Sequence, residues 1–194
     1  MIAGRKVRLR NVCLDDLETY RRWQEPGHAW QALDGPYYPK PTIEQVDKTI
    51  DLIKKRIAEG NWPSIPTRLM IADRQTDRFL GQVSRYWISE ETRWSAVGIV
   101  IFDPGDWGQG IGYEALGLWS DYLFEQFPDW VRLDLRTWSG NHGMIKLAKK
   151  LGYQQEACFR QARIVDGAYY DGLGFGVLRT EWRAKFPDGF ALSK

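Results

Sequence analysis

Apolar residues along the chain alternate with polar ones in some stretches and recur every three or four positions in others, and these two periods predict the elements. Val7-Arg8-Leu9-Arg10-Asn11-Val12 alternates and reads as a strand. Asp15 reads as the N-cap of a short helix, with Glu18 as its capping-box partner and Leu14, Leu17, Tyr20 and Trp23 on its apolar side. Residues 24–41 are broken by Pro26, Gly27, Gly35, Pro36, Pro39 and Pro41 and read as a loop, which also carries Trp30, Tyr37 and Tyr38. A long aromatic loop of this kind is either a lid over a site or a packed connector.

Thr42 with Gln45 forms a second capping box. Ile43, Val46, Ile50, Ile53 and Ile57 then recur at helical spacing as far as Gly60. Residues 68–72, 79–88 and 93–102 read as strands, the last two joined as a hairpin by Ser89-Glu90-Glu91-Thr92. The run Val97-Gly98-Ile99-Val100-Ile101-Phe102 is continuously apolar, the pattern of a central strand covered on both faces. A helix from Ile111 to about Gln126, a strand over 131–138, and a helix capped by Asn141 and closed by Gly152 follow. Residues 155–165 and 168–178 form a last hairpin around Asp166-Gly167, a type I′ turn signal. The order β-α-α-β-β-β-α-β-α-β-β predicts one α/β (α+β) domain over 1–194, with a mixed, mostly antiparallel sheet of seven strands.

Composition narrows the function. The 27 basic and 25 acidic residues nearly balance, which gives no basic stripe for a nucleic-acid backbone. No apolar run reaches the length of a membrane span, and Met1–Lys6 leads into no signal-peptide core, so a cytoplasmic protein is expected. Cys13 and Cys158 lack metal-ligand spacing and read as reduced thiols; with only two histidines, no metal site is expected. Ten tryptophans exceed what a core of this size needs, which suggests an aromatic groove.

The segment Pro104-Gly105-Asp106-Trp107-Gly108-Gln109-Gly110-Ile111-Gly112 carries the chemistry. Glycines permit positive φ and close backbone approach, and the helix that follows supplies free N–H groups and a positive dipole end, a setting for a phosphate. A nucleotide P-loop would need Lys and Ser/Thr where Tyr113-Glu114 stand. A dinucleotide fold would need different glycine spacing at the first strand of a parallel sheet.

Three segments in order resemble the GNAT superfamily of N-acetyltransferases, with most similarity to its RimJ/RimL-like branch. They are Gly98–Pro104 leading into Asp106–Leu116, Asn141–Tyr153, and Tyr169–Trp182. The resemblance implies a sheet splayed between the strand ending at Phe102 and the strand over 131–138, with acetyl-CoA as co-substrate and no metal. It places Trp107, Gly108, Gln109, Gly110, Ile111, Gly112 and Tyr113 on the CoA pyrophosphate. Ile99, Val100, Ile101 and Phe102 would lie along the pantetheine arm, and Asn141 would serve as both a cofactor contact and a catalytic candidate. The implied acceptor is a protein N-terminal amine or a small-molecule amine, and a homodimer is compatible. The chain departs from the family's common pattern at Trp107 and at the acid–base positions Ala96, Met144 and Ala148. A non-catalytic acyl-CoA-binding domain is therefore the alternative. Ser139 and Tyr153 are candidate proton donors, and Trp30, Tyr37, Tyr38, Trp62 and Trp87 are candidates for the acceptor groove. Lys146, Lys149 and Lys150 are candidates for the CoA 3′-phosphate, and Asp171 either orients substrate or ends a turn.

Overall fold

The computed structural model describes residues 1–192. Eight strands form one sheet: β1 (Ile2–Ala3), β2 (Val7–Arg10), β3 (Arg68–Asp73), β4 (Phe79–Ser89), β5 (Trp94–Ile101), β6 (Arg132–Trp138), β7 (Gln154–Val165) and β8 (Ala168–Leu178). Their spatial order is β1-β2-β3-β4-β5-β6-β8-β7. β5 and β6 run parallel, and the other neighbours are antiparallel. The helices are α1 (Asp16–Gln24), α2 (Ile43–Glu59), α3 (Ile111–Gln126), α4 (His142–Leu151) and α5 (Arg179–Lys185).

The period-two pattern decides which face each side chain meets. Leu69, Ile71, Leu80, Val83, Val97, Leu133 and Leu135 point to the face covered by α3 and α4. There they join Trp119, Leu123 and Leu151 in the main core. Met70, Phe79, Val100 and Phe102 point the other way and pack with Trp23 and Trp30. α1 and α2 meet through Leu17, Val46 and Ile50. Thr42 and Gln45 form the expected reciprocal capping box, and Gly60 ends α2 at φ 62°. Asp166 and Gly167 both take positive φ at the β7–β8 turn.

Three expectations need correction. Asp15 makes no side-chain cap; Asp16 does the local work, accepting the Cys13 N–H at 2.9 Å and both amino groups of Arg10 at 2.6 and 2.8 Å. The sheet has an eighth strand, the two-residue β1, whose pairing with β2 is a tertiary event with no local signal. The closing strand ends at Leu178, where the pattern placed it. Arg179 turns away to donate to the carbonyls of Trp130 and Phe124 at 2.7 and 2.6 Å, and α5 begins. The apolar run of β5 is covered on both faces only as far as Val97; from Gly98 onward it is half-exposed.

Candidate active site

That half-exposure comes from a split in the sheet. β5 and β6 pair only at Ser95↔Leu133, Ala96↔Asp134 and Val97↔Leu135. Beyond this point β6 continues along β8 to Trp138, while β5 stays with β4. Phe102 N–H donates to Leu80 O at 3.0 Å, so its backbone faces β4. By the alternation of an antiparallel ladder, the backbone groups of Ile99 and Ile101 face the gap. A strand edge without its neighbour, inside the molecule, is a template for an extended amide-bearing ligand.

The gap opens into a cleft of roughly 1360 Å³ that runs from the glycine-rich loop to the strands of the opposite face. Most ligand pockets hold about 300–1,000 Å³, so there is room here for two substrates. Ile99, Val100, Ile101, Trp107, Gly108 and Gly110 line it, as do Gly112, Tyr113 and Asn141. Phe102 does not: it is buried against Trp30 and Phe79 and anchors the strand end from below.

The loop is held by its own side chains. Asp103 accepts from Gly105 N–H at 2.8 Å, and Asp106 pairs with both amino groups of Arg78 at 2.7 and 3.0 Å. Trp107 donates its indole N–H to Ile101 O at 2.9 Å, and Gln109 donates its amide to Gly105 O. Both side chains are thus committed inside the loop, which leaves the backbone as the donor set. Gly108 and Gly110 sit at φ 74° and 83°, a region that favours glycine, and Gly110 occupies the N-cap of α3 with no side chain over the helix end.

A cation stands at this loop that sequence spacing could not reveal. Lys6 Nζ donates to Gln109 O at 2.6 Å, and a Cβ on Gly110 would lie 3.6 Å from it. Glu114, in the first turn of α3, fixes that lysine's backbone by accepting from the N–H groups of Arg5, Lys6 and Val7 at 2.6, 2.7 and 2.9 Å.

At the other side of the cleft, Asn141 uses both ends of its amide. Oδ1 accepts from Met144 N–H at 3.0 Å, capping α4, and Nδ2 donates to Leu33 O at 3.1 Å. Trp138 Nε1 donates to the same carbonyl at 3.1 Å. The aromatic loop is therefore anchored at Trp30 beneath the end of β5 and at Leu33 on the end of β6, and it crosses the cleft between them. Tyr37 and Tyr38 line that crossing, and Arg163 of β7 stacks on Tyr37 at 4.5 Å. Asn141→Ala is expected to lose about 1 kcal/mol of helix capping and to free the loop. Turnover should fall while the fold persists. Thermal melting beside steady-state rates checks this, and unchanged rates would leave Asn141 as a cap alone.

The other candidates separate. Tyr153 is buried and hydrogen-bonded to Ser120 at 2.8 Å, and burial raises its phenol well above the ordinary range; it cannot serve the cleft. Ser139 is tied to β8, accepting from Asp171 N–H at 3.0 Å. Asp171 ends no turn: within β8 it accepts from Gln161 N–H at 2.8 Å and braces a bulge in β7. Ala96 and Ala148 are fully buried, whereas Met144 lines the cleft. Lys146, Lys149 and Lys150 are exposed, and Lys150 lies over the Tyr113 ring at 4.5 Å. Trp62 and Trp87 are not in the cleft, and Trp87 packs on Trp130 at 5.0 Å. Trp30, Trp107 and Trp138 line the cleft, and so does Trp94, which shares its end with Tyr86, Arg132, Asp134 and Arg136.

Comparison with known proteins agrees with this geometry. The family model described as acetyltransferase (GNAT) domain matches residues 6–154, and the chain belongs to that family. The SPbeta prophage-derived uncharacterized N-acetyltransferase YokL of Bacillus subtilis (strain 168) is 25% identical over 112 residues, 58% of this chain and 62% of the relative. The match thus spans less than two thirds of that relative's length. An acetyltransferase of the GNAT family from Bacillus anthracis superposes with a TM-score of 0.71 at 14% identity, over 93% of this chain and 99% of that one. Spermidine N-acetyltransferase from Vibrio cholerae, solved in complex with CoA and spermine, gives 0.70 at 17% identity, over 91% and 98%. At these identities the solved structures establish a shared fold: a single GNAT-like α/β domain with an open, splayed sheet.

Proposed function

We propose that the protein moves an acetyl group from acetyl-CoA to a primary amine, as the resemblance to the RimJ/RimL-like branch first suggested. The observation that carries this reading is the unpaired β5 edge, which runs from a phosphate-sized backbone loop to the point where β5 and β6 part. Backbone N–H groups of Gly108 to Tyr113 and the Lys6 ammonium would hold the pyrophosphate, and Ile99 and Ile101 would pair with the pantetheine amides. The thioester then lies beside Gly98. There a side chain would crowd Ser84 Oγ, since a Cβ would come within 3.0 Å of it.

The acceptor enters from the opposite face, over Gln82, Ser84 and Tyr86. Its nitrogen must be neutral to attack, and an alkylamine with a pKa of about 10 is mostly protonated at neutral pH. Asp134, paired in register with Ala96 just before the split, is the buried carboxylate that meets an incoming ammonium. The amine nitrogen bonds to the acetyl carbon, the carbon–sulfur bond breaks, and the electron pair leaves on sulfur. The ammonium gives its first proton to solvent water before attack, and the second, shed from nitrogen as the amide forms, passes by way of water to the thiolate. A strand N–H facing the gap stabilises the oxyanion. The usual acid–base positions 96 and 148 carry only the methyl groups of two buried alanines.

The test is a titration with acetyl-CoA, followed by an amine panel read by thiol release. Binding with amine-dependent thiol release is expected. Binding without turnover on any amine would favour a non-catalytic acyl-CoA-binding domain, and absence of CoA binding would overturn both readings. The free thiols of Cys13 and Cys158 fit a reducing, cytoplasmic setting.

A further inference from the structure

The cleft lining contains three buried polar side-chain atoms without a hydrogen-bond partner among the described residues: Gln82 Oε1, Trp94 Nε1 and Arg163 Nε. All three residues line the cleft. An unsatisfied buried polar atom is costly, and such atoms in the lining of a cleft mark groups that a ligand satisfies. One of these is an acceptor and two are donors.

The charges sort in the same way. Arg132 is compensated by Asp134 at 2.6 Å and by Glu156, which leaves that trio with one surplus negative charge. Arg68 and Lys40 lie in the field of Asp34, a carboxyl at the rim that the surrounding walls push above its usual range. Arg136 and Arg163 also line the cleft, and among the described residues neither has a carboxylate within ion-pair distance. Each is backed by an aromatic ring: Trp94 lies 6.0 Å from the Arg136 guanidinium, and Tyr37 lies 4.5 Å from that of Arg163. Stacking fixes the plane of a guanidinium and leaves its edge free for a carboxylate. By register Arg136 follows Asp134 by two residues on the same face of β6, level with Gly98, where the thioester would lie.

From this arrangement we infer that the acceptor is a small amine that itself carries a carboxylate, an amino acid rather than a polyamine. Resting on the acetyl-transfer reading, this assigns the amine to Asp134 and the carboxylate to Arg136, Arg163 and the Trp94 N–H. A polyamine would set a second ammonium against two unpaired guanidiniums, which like-charge repulsion disfavours. The loop over the cleft, bridged to β7 by Arg163 on Tyr37, favours a compact molecule over a chain.

The test measures binding to the CoA-saturated protein by calorimetry. The panel contains α- and ω-amino acids, their carboxamides, an acidic tripeptide and spermidine. At least one amino acid should bind about tenfold or more tighter than its carboxamide, as one charge-assisted hydrogen-bond pair implies, and tighter than spermidine. Arg136→Gln should abolish that preference while leaving CoA affinity and the melting temperature unchanged. Carboxamides that bind as well as acids, spermidine or the tripeptide as the best ligand, or an Arg136→Gln protein with its preference intact would each overturn the inference. Because the readout is binding, it stands apart from catalysis. Preferential binding of acids with no thiol release would remove the acetyl-transfer reading and keep the anion site.

Discussion

Gly110→Asp is expected to weaken CoA binding by about a hundredfold in a protein that still folds. Two causes add. The residue sits at φ 83° at the N-cap of α3, a conformation that asparagine and aspartate tolerate better than other side chains and glycine accepts freely. The new carboxylate would point into the loop beside the proposed pyrophosphate. Two unit charges of like sign about 4 Å apart repel by about 1 kcal/mol in water and about 4 kcal/mol at a partly screened surface. It would also compete for Lys6 Nζ, 3.6 Å from where the Cβ would stand, and so draw away the cation that balances the phosphate. Gly110→Asn separates the causes, since it has the same backbone demand and shape without the charge. The asparagine variant should lose only a few-fold in affinity, measured by calorimetry with CoA, with both melting temperatures recorded. Equal losses in the two variants would remove the electrostatic part. An unchanged CoA affinity in folded Gly110→Asp would remove the pyrophosphate from this loop altogether.

The donor side was legible in the sequence because its determinants are local. Positive-φ glycines at 108, 110 and 152, the Thr42–Gln45 box and the Asn141 cap each act within a few residues of themselves, and each formed where the pattern placed it. The rest was hidden for a single physical reason: it is decided by contacts between distant segments. Lys6 reaches the loop because Glu114 captures three N–H groups more than 100 positions earlier. The continuous apolar run of β5 reads as a fully covered strand. Half of it lines a cleft, and nothing in an apolar run says whether the covering partner is protein or ligand. The acceptor end shows this most clearly. The aromatic pattern pointed to Trp30, Tyr37 and Tyr38, which line the cleft, and to Trp62 and Trp87, which do not. It passed over Trp94, whose position on β5 sets it in the cleft on the same face as Arg132 and Arg136. The end of β8 at Leu178 was legible, and what holds it there was not: the Arg179 guanidinium finds carbonyls at the end of α3 and in the segment after it, including that of Phe127.

The C-terminal segment that follows Arg179 should set the stability of the molecule, and Asp121→Ala is the substitution that exposes this. Asp121 lies buried in α3, where its carboxylate accepts from Trp182 Nε1 at 2.8 Å, Phe190 N–H at 3.0 Å and Arg183 at 3.1 Å. Trp182 is fully buried, against Phe124, Phe186 and Phe190. Removing the carboxylate leaves the Trp182 indole N–H buried without a partner and the Arg183 guanidinium without its counter-charge. Leaving a buried indole N–H unsatisfied and a part-buried guanidinium unpaired costs about 2–4 kcal/mol. In a chain of this size, that is a fall of roughly 10 °C in melting temperature. Asp121→Asn, which keeps an acceptor oxygen, should lose less. Thermal and urea unfolding check both, and a drop of under about 1 kcal/mol for the alanine variant would show that the segment is not the clamp its contacts suggest. α5 and Phe190 lie outside the residues 6–154 that match the family model, yet they close on α3, the helix whose first turn forms the proposed phosphate cradle. Asp121 faces away from the cleft, so CoA affinity per folded molecule should be unchanged in Asp121→Ala and lost in Gly110→Asp. That opposite pair of outcomes would show that α3 serves stability at its middle and ligand at its start, as two separable functions of one helix.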